Sequence, residues 1–305
     1  MATTEVVPAG EKPLWRKIID FPLVAMVIAA ALFILGVITA GKIVKFMVPA
    51  VPGLNPQMKL YLVAMPILIA LYVFVIAKLG DPKRSDFRDS KWARHLLLGL
   101  IGGTLIFSIA VAIAGALGIY RIIGIGSLNG LLAALIVPTI GAAVTEEMFF
   151  RGILFRWLEE FGGSWLALLL TSAFFGATHL GNPNATWIGA VGIAFEAGVM
   201  LGAAYMLTRS LWLPMGLHAA WNFTQGEVFD IPVSGTEVHG LVNARLCCNP
   251  LLTGGGFGLE ASLIAIVIAT GFGLWLLWLA IRKGELVQPW WVRRRIPSNA
   301  PPPGD

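Results

Sequence analysis

The chain reads as long apolar runs separated by short polar interruptions. The runs cover residues 21–40, 60–77, 96–118, 131 onward, 165–179, 188–207, 211–223 and 259–281. A helix needs about 20 apolar residues to cross a hydrocarbon core of about 30 Å, and runs of this length favour helices over the alternating strands of a barrel. The pattern predicts an all-α polytopic bundle of about eight transmembrane helices. Two of them are irregular. The seventh is short, and the fifth ends on His179, just before the breaker Gly181-Asn182-Pro183-Asn184. The fourth passes through Glu146, Glu147 and Arg151.

Composition agrees with the pattern. Of 305 residues, 57% are hydrophobic and 13% charged, with a mean hydropathy of +0.79. A soluble domain carries roughly 25% charged residues, so a soluble globular protein is excluded. A net charge of +5 in so apolar a chain suits anionic lipid headgroups. No nucleic-acid partner is expected, because only the tail from Trp290 interleaves aromatics with arginine. That tail reads as an interfacial anchor ahead of the disordered end holding Pro301–Pro303. Cys247 and Cys248 are too few for a disulfide framework or a cysteine zinc site. Adjacent cysteines rarely bridge each other.

Sorting the basic residues by span gives the orientation. Sixteen fall on the side that holds both termini, among them Lys12, Arg16, Lys17, Lys83, Arg84 and Arg293–Arg295. Five (Lys42, Lys45, Lys59, Arg121 and Arg245) fall on the other side. The positive-inside rule then expects both termini in the cytoplasm, with the protein in a bacterial inner (plasma) membrane. The mixed-charge start is not expected to be a cleavable signal. The organisation follows: 1–20 a cytoplasmic segment, 21–130 the N-terminal transmembrane helices, and 131–224 a core of polar motifs. After these come 225–258, a long extracytoplasmic loop with no nameable motif, 259–281 the last span, and 282–305 a basic Pro-rich cytoplasmic tail.

Ionisable groups inside spans are costly and mark functional candidates. Glu147 and Arg151 lie four apart, in the orientation that favours an ion pair on one helix face. Glu146 points about 100° away and has no local partner. A turn at Gly162-Gly163 would place Glu146 and His179 at matched depth in one hairpin, about 25 Å from its tip. His218 and Asn222, again four apart, share a face. The bland alternatives are a solvated helix end for the glutamates and an interhelical hydrogen-bonded pair for His218 and Asn222. A single polar cluster around water is the simpler account, since isolated polar groups in lipid are each costly. Glu196 faces either that cavity or a neighbouring helix. Ala194, Gly198 and Gly202 form a stripe suited to close helix packing. His95 and His239 are expected to have no catalytic role.

The chemistry narrows by inspection. No His-Glu-x-x-His zinc helix is present, no Gly-x-Ser-Gly, and no intramembrane aspartate pair. Carboxylate, imidazole and amide remain, a set able to activate water and stabilise an oxyanion. Glu146-Glu147-x-x-x-Arg151, Phe175-x-x-x-His179 and His218-x-x-x-Asn222, in this order, resemble the CPBP family. These are the CAAX-processing and bacteriocin-processing intramembrane endopeptidases, also called Abi proteins. The resemblance covers residues 131–224 and implies catalytic roles for four residues. Glu146 would be the general base, His179 would help hold the attacking water, and His218 and Asn222 would stabilise the oxyanion. Glu147 and Arg151 would support them by fixing the helix that aims Glu146.

The resemblance implies a protein or peptide substrate and a lipid bilayer as surroundings. A metal-free reaction is favoured because an amide such as Asn222 is a poor zinc ligand. Two histidines and a glutamate keep Zn²⁺ as the alternative. A non-catalytic binding or immunity protein, or a transporter, is the competing class. Most transporters show an internal repeat, and none is visible here.

Overall fold

The computed structural model describes residues 12–47, 53–80, 86–127 and 129–294. The first eleven residues, Lys83, Arg84, Arg295 and the proline-rich end lie outside the described residues. The chain is an all-α polytopic bundle. We number its long helices α1 (Pro22–Met47), α2 (Pro56–Phe74), α3 (Trp92–Ala116), α4 (131–162) and α5 (164–178). They continue with α6 (Trp187–Thr208), α7 (Trp212–Phe223) and α8 (Leu263–Arg282).

Local signals fix several starts. Pro56 opens α2 behind Asn55, whose side chain accepts from Met58 N at 2.9 Å. Thr186 caps α6 and Ser262 caps α8 in the same way. The last helix therefore starts at Leu263, four residues after the predicted start, and Leu259–Ala261 forms a separate turn.

Among the described residues, six helical stretches are long and apolar enough to cross a membrane. The predicted count of eight differs for two reasons. Leu131–Gly181 joins the predicted fourth and fifth spans into one stretch, broken where Gly163 takes φ 81 and ψ 171. This is the left-handed side of the map, where a residue without Cβ is at ease. The two arms run antiparallel: Phe150 packs edge-on against Phe175 at 4.8 Å between centroids, 13 residues before Gly163 and 12 after it. The seventh span, α7, has 12 residues and runs on through the π turn Thr224–Val228, which leaves it shorter than the other spans.

The outside of the bundle is more apolar than the inside, as lipid requires. On α3 the exposed residues include Leu97, Leu98, Ile101, Leu105 and Ile109, and on α8 Val267, Leu274 and Trp275. The buried faces carry small residues instead, such as Ala265, Ala269 and Gly273 on α8. Without a hydrophobic drive between helices, close backbone approach does the work. A Cβ on Gly99 of α3 would meet Leu213 O of α7 at 2.5 Å, and one on Gly103 would strike the Leu217 carbonyl. This seam fixes the height of α7 and so of His218. The Gly198 and Gly202 stripe of α6 likewise packs on Ser172 and Leu168 of α5.

At the end of the bundle opposite Gly163, two strands not foreseen from the pattern pair antiparallel: β1 (Tyr120–Ile125) and β2 (Val242–Leu246). The segment predicted as a featureless loop is tied down by them. Asp230 accepts from Gly240 N and Ala244 N, and Gly235 N donates to Phe257 O at 2.7 Å. Cys247 and Cys248 follow β2 as free thiols with Sγ atoms 2.7 Å apart.

Candidate active site

Four stretches of the bundle are wound as π-helix: Leu135–Gly141, Met148–Phe155, Ala194–Gly198 and Thr224–Val228. Such turns loosen the backbone and recur at functional sites. Here each carries or touches a polar group of the interior. The first includes Pro138, which has no N–H to give to the ladder. Asn222 of α7 donates from Nδ2 to the Pro138 carbonyl at 2.6 Å.

Arg151 sits in the second. It is 1% exposed, and its Nη1 donates to Glu147 Oε1 at 2.9 Å. Its Nη2 donates to the Ala197 and Gly198 carbonyls of α6, each at 3.2 Å. The guanidinium also lies 4.7 Å from the Phe175 ring centroid, a favourable cation–π placement. One side chain therefore fastens α4 to α6 over an aromatic floor supplied by α5.

Glu147, fully buried, has a second partner. Its Oε1 lies 3.0 Å from Nδ1 of His218. With a carboxylate accepting there, Nδ1 carries the proton and Nε2 faces away from Glu147. His179 is oriented by the backbone: its Nδ1 lies 2.7 Å from the Phe175 carbonyl. That bond places the proton on Nδ1 and leaves the Nε2 lone pair free. Phe175 touches both imidazoles, at 4.8 Å for His179 and 6.2 Å for His218 between ring centroids. In the Phe-x-x-x-His motif, the aromatic residue is the hub against which both histidines and Arg151 are set.

His179, His218 and Asn222 line one cavity of about 30 Å³, room for one or two waters. Glu146 lines a neighbouring cavity of about 250 Å³ with Phe33, Leu60, Tyr61, Leu68 and Phe149. It makes no side-chain hydrogen bond, and its Oε2 is buried without a protein partner. It is close enough to His218 and Arg151 to interact electrostatically with both. The structure thus gathers His179, His218 and Asn222 around one space, with Glu147 and Arg151 beside it and Glu146 on the adjoining wall.

Two further groups stand on the first cavity. Glu196 is 2% exposed, and Glu260 is 4% exposed and arrives from the turn before α8. Sequence reasoning left Glu196 between two roles and passed over Glu260. No periodicity marks a residue delivered by an irregular loop, and the one usable signal was a carboxylate bordering an apolar span.

The fit of a zinc ion follows from the donor set. Among the described residues, no group of three His, Cys, Asp or Glu converges as metal ligands, fewer than a catalytic zinc takes from protein. His95, expected to be idle, pairs with Asp89 at the opposite end of the bundle.

Comparison with known proteins reaches the same segment. The chain matches no curated protein and no solved structure. Residues 127–224, about a third of the chain, match the family described as type II CAAX prenyl endopeptidase Rce1-like. The match takes in all three polar motifs and the π-wound stretches that carry Pro138, Arg151 and Glu196. Over residues 127–224, then, this membrane protein is similar to the type II CAAX prenyl endopeptidase Rce1-like family.

Proposed function

We propose that this chain is an intramembrane endopeptidase that hydrolyses a peptide bond of a protein or peptide substrate with a glutamate-activated water, in the manner of CAAX processing. The observation that carries it is the shared cavity of His179, His218 and Asn222 beside the buried Glu147–Arg151 pair, inside the Rce1-like segment. Glu146 is the general base. Its carboxylate has no competing ion pair, so its lone pairs are available to a water proton. Nε2 of His179 accepts the second hydrogen of that water and holds it for attack on the carbonyl carbon. The second N–H of Asn222 Nδ2, and His218 as an imidazolium paired with Glu147, donate to the oxyanion. Donors of this kind are worth about 10²–10³ in kcat. Glu147 and Arg151 hold α4 and α7 in register. The reaction runs without a metal.

With both termini in the cytoplasm, as the basic residues favour, the strand end and its cavity face away from it. The test is cleavage of peptides, prenylated and unprenylated, by the purified chain in detergent. Glu146→Ala and His179→Ala should abolish cleavage while leaving the thermal midpoint unchanged. Full activity in both would overturn the roles given to Glu146 and His179, and no cleavage by the unaltered chain would favour a binding protein or transporter. Activity should survive exhaustive chelation; loss on chelation that zinc restores would reinstate the metal.

A further inference from the structure

Peptide hydrolysis needs two proton movements, one from the attacking water and one to the departing amine. The base removes a proton from water. The departing amine must then receive one before the C–N bond breaks. His179 spends its Nδ1 proton on Phe175 O, while His218 and Asn222, each bonded once to Glu147 or Pro138, direct their remaining N–H at the oxyanion.

The cavity that these three line has another wall. Glu196 stands there on the π-wound turn of α6, almost fully buried, with Oε2 meeting no protein hydrogen-bond partner. Glu260 stands beside it, close enough to interact, and is held by a 2.5 Å hydrogen bond from Ser234 N. Trp221 lines the same cavity, with its Nε1 donating to Gln225 Oε1 at 3.0 Å.

We infer that Glu196, paired with Glu260, is a further catalytic residue: the acid that protonates the leaving amine. This rests on the endopeptidase reading above. Two carboxyl groups close together in a poorly hydrated cavity cannot both be ionised without a large penalty, so the pair retains a proton. The arrangement gives that proton a destination. As the tetrahedral intermediate forms, its nitrogen takes the proton from Glu196, directly or through a cavity water. The C–N bond then breaks, and the amine leaves neutral. The new carboxylic acid and the protonated Glu146 hold the two protons that restore Glu196 and the solvent. Glu260, held by Ser234 N, carries the counter-carboxyl that keeps the proton on its neighbour. The other charged or titratable groups around this space are His179, His218 and, beyond them, Glu147 and Arg151, whose guanidinium binds the carbonyls of the two residues after Glu196.

Glu196→Gln in the full chain keeps the shape and removes the proton. Its kcat should fall at least about tenfold, within the usual range for a general acid, with KM unchanged and the alkaline limb of the pH–kcat profile altered. Glu260→Gln should shift that limb while retaining turnover. A Glu196→Gln enzyme with wild-type kcat and profile would overturn the assignment. Infrared spectroscopy of the resting protein gives a readout independent of substrate. The carboxylic C=O band that wild type keeps above the Glu260 titration near pH 7 should vanish in Glu196→Gln and shift in heavy water. Its absence from wild type would equally overturn the proposal. If wild type cleaves no peptide but the band is present and assigned to Glu196, the endopeptidase reading fails while the proton-holding pair stands.

Discussion

Two buried acid clusters sit at opposite ends of this bundle and are built differently. Toward the Gly163 end, Asp86 is 1% exposed and both of its oxygens are occupied: Tyr72 donates to Oδ2 at 2.5 Å and Tyr205 to Oδ1 at 2.7 Å. Arg156 adds its charge at 3.8 Å, and the Asp86 carbonyl accepts from Leu211 N. These contacts tie the α2–α3 connection to α2, α4, α6 and the start of α7. Toward the strand end, Glu146, Glu147 and Glu196 each leave an Oε2 without a protein partner. Buried polar groups are nearly always paired, so the difference separates scaffold from site. Asp86 has spent its acceptors on holding helices. The glutamates keep theirs for water, substrate and protons.

Substitutions can break this contrast. The largest effect is expected at Glu146. Glu146→Gln should lower kcat about 10²–10⁴-fold and leave the thermal midpoint in detergent unchanged, because the side chain has no hydrogen bond to lose. Glu147→Gln should lower both activity and stability, since it strips the buried Arg151 of its counter-charge. A stable, inactive Glu147→Gln beside an active Glu146→Gln would exchange the roles of the two. At the other end, Asp86→Ala should destabilise by about 3–5 kcal/mol, the usual consequence of removing one partner from a buried polar network. Its kcat per folded molecule should stay near wild type. A fall in kcat there without a fall in midpoint would erase the distinction between the clusters.

What was legible in the sequence follows the same divide. Lipid forces long apolar runs, so the spans could be read almost to the residue for α3 and α6. The Glu147–Arg151 pair and the Gly163 turn are local features and were read as local features. The number of crossings was harder, because the fourth and fifth spans are one stretch bent at Gly163 and α7 gains its length only through the π turn to Val228. Contacts across sequence were invisible. The His218–Glu147 bond joins residues 71 apart, and Glu260 reaches the cavity from a turn that no periodicity predicts. The pairing of β1 with β2 brings Tyr120 to Leu246. Short polar-flanked strands at a membrane surface leave no apolar alternation strong enough to stand out between long spans. Glu146 was readable as the carboxylate without a partner, but not as the one on a separate wall.

A smaller effect should sharpen the link between packing and chemistry. Gly103→Ala has no room, since the new Cβ meets the Leu217 carbonyl and Trp221 N of α7. Backbone must move, at a cost of about 1–3 kcal/mol for overpacking. Because His218 follows Leu217 directly, kcat should fall with the midpoint. Gly102→Ala on the same helix meets only flexible side-chain carbons of Leu217 and Phe272 and should be close to neutral on both counts.

The smallest effect tests the roof of the cavity. Glu260 lies outside the spanning helix, and burial raises its pKa from 4.5 to about 7 against the hydrogen bond from Ser234 N. Between those two values the folded chain holds a proton that the unfolded chain has released. Linkage then requires stability to fall as pH rises through this window and to level off above about 7. One proton sets the slope at no more than about 1.4 kcal/mol per pH unit. In Glu260→Gln the slope between pH 4.5 and 7 should flatten, as read from the thermal midpoint in detergent. If Glu260→Gln leaves the slope intact, the carboxyl is already ionised in the fold, and the loop is held by an ordinary charged hydrogen-bond acceptor.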